Sequence, residues 1–545
     1  MVPLRRFSYL AAMTAVALTL SACTGSAADG STEGPAAAPE GVSTGEFGGQ
    51  QLALGDPVQG GEITWGIWMP IQSLDPAGTM GDSILLAMSS VYGTLTKALP
   101  DGSVAPNLAE SFETEDNVVW TMKLDPELTF TDGTAFDAQA VITHLKNVAA
   151  EGSTSTQTGE ARRIVDMVAP DPYTVVLTLN GPNNQFDLLF ADGSMGMIPS
   201  PTAKAAAGAD FATRPVGAGP FKVESFAPGN QVVLVKNPDY KFASDGLPYL
   251  DQVTLRTVPE QTSRVDGVLA GDLDGGTVAS LPALEEARSD GAIGLEQPVH
   301  SAYYLLLNNQ NELLSDIRVR TALSEAIDRD AINQVVYEGL HTPMAGLLAP
   351  SHPYADKDSD WPQFDLKHAQ ELINEYKADT GKDQIELTIT TVPGGETAEV
   401  APLLQQMLGQ LDIKVNIETV DQTSAVGKFA SGEYGATLIT RAVQSETTTA
   451  LGQYFRSGSS RNWSWTTIPE FDGVAQQAAS ASSADDRLAQ IPMMLDVLAE
   501  NVVAVPIVSA GAGRVLGPNI GGFPDGDPTS RTIERFDLSR VWAKD

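Results

Sequence analysis

The sequence predicts an α/β protein built from two or three lobes, and three observations predict it. Segments with strand-type patterning alternate with segments of helix-type patterning along the chain. The body from about residue 58 to residue 545 is far longer than one hydrophobic core serves. A single cysteine in 545 residues leaves no disulfide to stand in for apolar burial, so each lobe needs its own core.

The first element is a leader. Arg5 and Arg6 form a charged start, and Leu10 to Leu20 an apolar run of signal-peptide length, too short to span a bilayer. Leu20-Ser21-Ala22-Cys23 follows and resembles a bacterial lipobox, in which Cys23 becomes the lipidated first residue. A plain secretory signal with a chance cysteine is the alternative. Arg5-Arg6-Phe7-Ser8-Tyr9-Leu10 also loosely resembles a twin-arginine signal, and the export route stays open. Residues 23–57 read as the lipidated cysteine and a flexible linker rich in Gly, Ser, Ala, Pro and acidic residues. Gly41-Val42-Ser43-Thr44-Gly45 matches a hydrolase nucleophile pattern but lacks the strand and helix that pattern needs.

Ile63 to Trp68 opens the body as a strand, and Val118 to Leu124 alternates like a half-buried one. Asp137 caps a helix whose stripe is Ala138, Val141, Ile142, Leu145 and Val148. Thr174–Leu179 and Gln231–Val235 are strands. Asp316 starts a helix, a second follows Asp330 with Ile332, Val335 and Val336, and Asp365 caps a third. A β-α-β-α-β string then runs through strands 385–392, 413–420 and 436–440, with helices over 398–411 and 424–431. Strands separated by helices favour a parallel sheet with ligand at its carboxyl ends.

Composition excludes several classes. A formal charge of −36 repels phosphate backbones, so no nucleic acid is expected as a partner. No phosphate loop occurs, and Gly511-Ala512-Gly513 follows a strand without the helix a dinucleotide site requires. His144, His300, His341, His352 and His368 are scattered without metal-ligand spacing, so neither a metal nor a cofactor is expected.

Several stretches together resemble the family 5 extracellular solute-binding proteins of ABC importers. They include Ser73–Pro76, Leu108–Phe112, Trp120–Leu124 leading to Phe130–Phe136, Val216–Val223, Val235–Tyr240, Ile317–Arg329 and Ala504–Ile507. The resemblance implies a two-lobe (Venus flytrap) α/β fold with an extra α/β lobe inserted in the first. It divides the chain into a leader (1–22), a lipidated linker (23–57), lobe I (58–92, 216–305 and 506–545), an inserted lobe (93–215) and lobe II (306–505). It further implies a peptide or small-molecule ligand trapped by closure, a membrane permease as partner, a monomer, and a lipid anchor on the outer face of the plasma membrane. Tyr303–Asn309 and the region of Pro506 are its implied hinge crossings.

In peptide-binding members a Trp follows the strand equivalent to Ala436–Thr440, an Asp three residues later holds the ligand's amino group, and an Asp-Pro comes next. Counting back from Tyr454-Phe455 without gaps puts Thr440 at the Trp, Val443 at the anchoring Asp and Glu446 at the Asp before Pro, with Gln444 between. Val443 cannot pair a buried ammonium. Either Glu446 substitutes after a local shift, or the ligand is not a peptide held by its amino end. Arg441 at the strand's end is placed to fork onto a carboxylate or phosphate, unless it is a surface residue or paired with Glu446. Trp68, Trp463 and Trp465 are further pocket candidates, although paired tryptophans serve packing as readily. The expected class is a binding protein without catalytic residues. A hydrolytic enzyme with an unmarked carboxylate pair, or a surface sensor without transport, is the alternative.

Overall fold

The computed structural model describes residues 42–44, 50–52, 56–78, 81–99, 103–191, 193–297, 300–355, 359–393, 396–443, 447–459, 461–481, 483–523 and 536–544. Cys23, the leader, Gln444 and Glu446 lie outside them. Among the described residues no helix is long and apolar enough to cross a membrane.

Two mixed sheets organise the body. In lobe I, seven strands run in the order Phe221–Ala227, Gln231–Lys236, Gln252–Thr257, Glu62–Ile67, Gly275–Val278, Ala512–Leu516 and Ile293–Gln297. The expected first strand lies at the middle, parallel to both neighbours. Its Ile63, Trp65 and Ile67 are buried in the lobe's core. Lobe II holds five strands in the order Ile413–Thr419, Ile385–Thr391, Ala436–Ala442, Ser301–Leu307 and Ala504–Ser509. The β-α-β-α-β string supplies its three parallel strands, while Ser301–Leu307 and Ala504–Ser509 are antiparallel to their neighbours.

The inserted lobe carries a four-stranded antiparallel sheet under the helix Ala138–Ala149. Asp137 caps that helix through Ala140 N at 2.8 Å, and all five stripe residues are buried. Trp120, Met122 and Leu124 point into the same core, as alternation along Val119–Leu124 requires. Asp365 and Asp316 likewise cap their helices.

Three expectations are corrected. The helix Arg329–Val336 is capped by Asp328; Ile332 is buried while Val335, about sixty degrees round the helix from it, is 67 % exposed. The stretch expected to be linker contains an antiparallel hairpin, Val42–Thr44 with Gln50–Leu52. Its second strand lies against the edge strand Ile293–Gln297, where a sheet edge offers unpaired backbone. The lobe boundaries also move. Ser301–Leu307 and Ala504–Ser509 belong wholly to the lobe II sheet, because antiparallel pairing runs on to Ala302↔Ser509. The first crossing therefore falls between Gln297 and Ser301 and the second at Ala510-Gly511, not at 305 and 506. Their lobe II ends are joined by Ala510 N donating to Ser301 O at 2.7 Å. Two short adjacent crossings are the geometry of a hinge.

The glycines of the family-like stretches have packing reasons. A Cβ on Gly219 would lie 2.6 Å from Ser90 O and 2.7 Å from Gly93 N, where the strand Phe221–Ala227 enters beside the end of the helix Asp82–Tyr92. Asn237, also buried, donates to Gly219 O at 2.8 Å and fixes the same corner. A Cβ on Gly513 would meet the Leu284 side chain at 2.6 Å. That glycine admits a helix onto the sheet and cradles no phosphate.

One buried carboxyl of the inserted lobe makes stability depend on pH. Burial pushes Asp187 up from 3.8 to about 6, against a hydrogen bond from Leu188 N and the charge of Arg487. A folded-state value above the ordinary one means the folded protein holds this proton more tightly. The contribution is full below about pH 4 and lost as pH rises through about 6. Asp187→Asn should therefore raise stability at pH 7.5 by about 1–3 kcal/mol and leave pH 4 nearly unchanged. Urea melts at both pH values check this, and an equal gain at both would refute it.

Candidate functional site

The strand Ala436–Ala442 ends at the cleft side of the lobe II sheet, and its last residues build the site. Side chains alternate along it, so Leu438 packs into the main core while Ile439 packs into a second cluster with Tyr304, Val443 and Tyr454. Arg441 shares the Ile439 face and is 7 % exposed. Thr440 falls on the other face and is exposed, apart from Arg441.

Arg441 lies over the Tyr454 ring at 4.2 Å and the Trp463 ring at 5.2 Å. Among the described residues its only hydrogen bonds are two 3.5 Å contacts to one carbonyl, Arg461 O, and its buried Nε has no partner there. Burial pushes this guanidinium down to about 10; Tyr454 opposes the shift and Arg461 adds to it. No carboxylate among the described residues pairs with it. Other buried arginines are held differently. Arg320 donates to the carbonyls of Asn501, Leu314 and Ser315 at 2.8–3.0 Å. Arg329 donates to Pro506 O at 2.7 Å and Ser324 Oγ at 2.9 Å. Those two have short hydrogen bonds, whereas the donors of Arg441 are met by long ones only among the described residues.

Val443 sits in the same pocket as Arg441, 3 % exposed, its N–H donating to His300 O at 2.9 Å. Tyr304, Leu347, Tyr454 and Phe455 complete walls that leave about 10 Å³, room for one water at most. The wall is apolar, so an ammonium beside Val443 would have no counter-charge from it.

Of the expected tryptophans, Trp463 joins the site by covering Arg441. Trp465 shares the Phe429–Tyr434 cluster with Trp463, whose ring lies 5.6 Å from that of Phe429, but its own Nε1 donates to Phe429 O at 3.0 Å. Trp68 lies in the other lobe, just beyond the strand Glu62–Ile67, and is 37 % exposed. Two histidines expected to be scattered do meet. His300, at one crossing, packs against His352 with ring centres 5.2 Å apart, and His352 contacts the Thr447 hydroxyl at 3.1 Å. No third ligating group joins them among the described residues.

Sequence reasoning missed Tyr454 and Arg461 as partners of Arg441. Tyr454 is flanked by two guanidiniums, Arg441 and, at 5.3 Å, Arg461. Nothing in the spacing of 441, 454, 461 and 463 marks their convergence.

The family description "bacterial extracellular solute-binding proteins, family 5 Middle" matches residues 103–463, which take in most of the inserted lobe, five of the seven lobe I strands and most of lobe II. The chain belongs to family 5 of these solute-binding proteins. A family 5 protein holds its solute between two α/β lobes, which is the architecture observed. Among its relatives is the glutathione-binding protein GsiB of Shigella dysenteriae, 27 % identical over 450 residues, covering 79 % of this chain and 85 % of that one. The family 5 fold is also seen in the ABC transporter substrate-binding protein CtaP of Listeria monocytogenes. That structure matches with a TM-score of 0.77 at 21 % identity, over 89 % of this chain and 100 % of the other. AgaA of A. tumefaciens R10, solved with agropinic acid, matches with a TM-score of 0.73 at 20 % identity, over 89 % and 99 %.

Proposed function

We propose that this protein is the solute receptor of an ABC importer, that its ligand is a carboxylate-bearing, peptide-like solute, and that Arg441 anchors the carboxylate. The observation that carries the reading is the buried Arg441 guanidinium, which among the described residues has no carboxylate partner and only two long contacts to Arg461 O. A ligand carboxylate replacing those contacts would supply the counter-charge and the short, forked geometry that guanidinium favours. The apolar setting of Val443 argues against an ammonium anchored there, as in ordinary peptide receptors. Glutathione and agropinic acid, named for two of the relatives, are both acids. Trp68 and Trp463 would cover the ligand from the two lobes, and Gln444 and Glu446 would flank it. The bound, closed form would then deliver the solute to a membrane permease, with the protein acting as a lipid-anchored monomer through Cys23 on the outer face of the plasma membrane.

A thermal-shift panel tests the ligand class: glutathione, opine-type acids, and short peptides with free, acetylated or amidated ends. At a hundred times Kd a ligand stabilises by roughly 2.7 kcal/mol, well within detection. Amine-blocked acids should stabilise as well as free-amine ones, and carboxyl-amidated peptides should not. The reverse pattern would place the anchor at the amino end and remove Arg441 from the role. Cys23→Ser should release the protein from the membrane fraction; retention there would refute the anchor.

A further inference from the structure

The inserted lobe meets lobe II along a seam remote in sequence from the hinge. Asn184 Nδ2 donates to Ala481 O at 3.0 Å, and Thr449 Oγ1 donates to Gln185 Oε1 at 2.8 Å. Beside these bridges the seam encloses about 300 Å³, at the lower end of small-molecule sites. The helix Thr447–Phe455 forms its lobe II wall. One face of that helix sends Leu451, Tyr454 and Phe455 into the apolar cluster beside Arg441. The other turns Thr449, Gly452 and Gln453 into the cavity.

Gly452 is the telling residue. A glycine inside a helix costs about 0.5–1 kcal/mol relative to alanine. Its neighbours do not require it, since nothing lies within 4 Å of a Cβ placed there. What it does is leave the cavity open. The charge of the wall is also unusual for a chain of −36: Arg163, Arg456 and Arg487 face it with one carboxylate, Glu160. Glu160 pairs with Arg163 at 3.2 Å, while Arg456, which is exposed, makes no ion pair or side-chain hydrogen bond with another described residue. Gln185 from the inserted lobe and Gln453 from lobe II both line it, as do the apolar Leu188, Ala475 and Ala478. No aromatic ring lines the cavity, so nothing there stacks on a sugar.

We propose that this seam cavity is a second ligand subsite, accepting the acidic, amide-bearing segment of a peptide. It rests on the reading of the protein as a receptor for peptide-like acids, and it adds a contact made by the inserted lobe. The segment is either the far end of the ligand anchored at Arg441 or part of a second peptide.

Calorimetric titration with Ala-Ala, Ala-Ala-Ala-Glu and Ala-Ala-Ala-Lys separates these cases in wild type, Gly452→Leu and Arg456→Glu. Wild type should bind the Glu peptide at least about tenfold tighter than the Lys peptide, the order of one charge-assisted contact. Gly452→Leu, whose Cβ would meet nothing within 4 Å and whose branch would extend into the cavity, should melt no lower than wild type, keep Ala-Ala binding and lose the Glu preference. Arg456→Glu should reverse that preference. One peptide per chain identifies a single spanning ligand, and two identify a separate one. A Gly452→Leu variant with the wild-type preference, or a wild type with none, would overturn the subsite. Failure of the Arg441 anchor shows separately, as Ala-Ala binding unaffected by Arg441→Ala.

Discussion

Arg441→Ala should weaken the acidic ligand by roughly 30- to 3,000-fold, the usual cost of truncating one partner of a buried charge pair. The fold should hardly notice. Removing a buried cation that has no short hydrogen bond relieves a desolvation cost, which offsets the lost stacking on Tyr454 and Trp463. The melting temperature without ligand should stay within about 2 °C of wild type, the shift of under 1 kcal/mol. Arg320→Ala is the control. It strips the carbonyls of Asn501, Leu314 and Ser315 of their donors and should lower stability by about 3 kcal/mol or more. If Arg441→Ala destabilises the unliganded protein as much as Arg320→Ala does, Arg441 belongs to the scaffold. Calorimetry and melting on the same samples decide between the two.

Gly219→Ala should be strongly destabilising for so small a substitution. The added methyl would press against two backbone atoms, Ser90 O and Gly93 N, neither of which can rotate away. The end of the helix Asp82–Tyr92 and the start of the strand Phe221–Ala227 would have to separate. A loss of about 2–4 kcal/mol is expected, seen as a melting drop of roughly 5–10 °C. Gly181→Ala, at a site with nothing within 4 Å of the new Cβ, should be silent. Equal melting of the two variants would show that the corner shifts freely.

Much of the fold was legible because its signals are local. Asp137, Asp316 and Asp365 each precede an apolar stripe at helical spacing, and each caps its helix in the structure. The strands of the β-α-β-α-β string end within a residue or two of their expected limits. What failed depends on partners distant in sequence. The crossings were misplaced because pairing across Ala302↔Ser509, not composition, decides to which sheet a residue belongs. The hairpin at Val42–Thr44 was missed because an edge strand some 250 residues away gives it a surface to lie against.

The site shows the same division. Arg441 and Val443 could be picked out by position after one strand, and both line one pocket. Trp463 came with them and Trp465 did not, although both stand in one short loop. Trp465 has a positive φ of 53°, a backbone state its sequence neighbourhood does not announce, and its Nε1 is held by the Phe429 carbonyl. The sandwich of Tyr454 between two guanidiniums joins three segments, and no spacing rule reaches across them.

The first and last strands of the body also lie together. A Cβ placed on Gly61 would touch the Ala543 carbonyl at 3.8 Å, and Tyr249 N bonds Ser539 O beside it. Labels attached at these two points ride on one rigid lobe and keep their spacing whatever the solute does. A short loop joining 543 to 61 would allow the chain to be reopened at the exposed Gly381 turn of lobe II. A dye at the new ends and another at position 61 would then sit on opposite jaws, converting capture of the solute into a change of light.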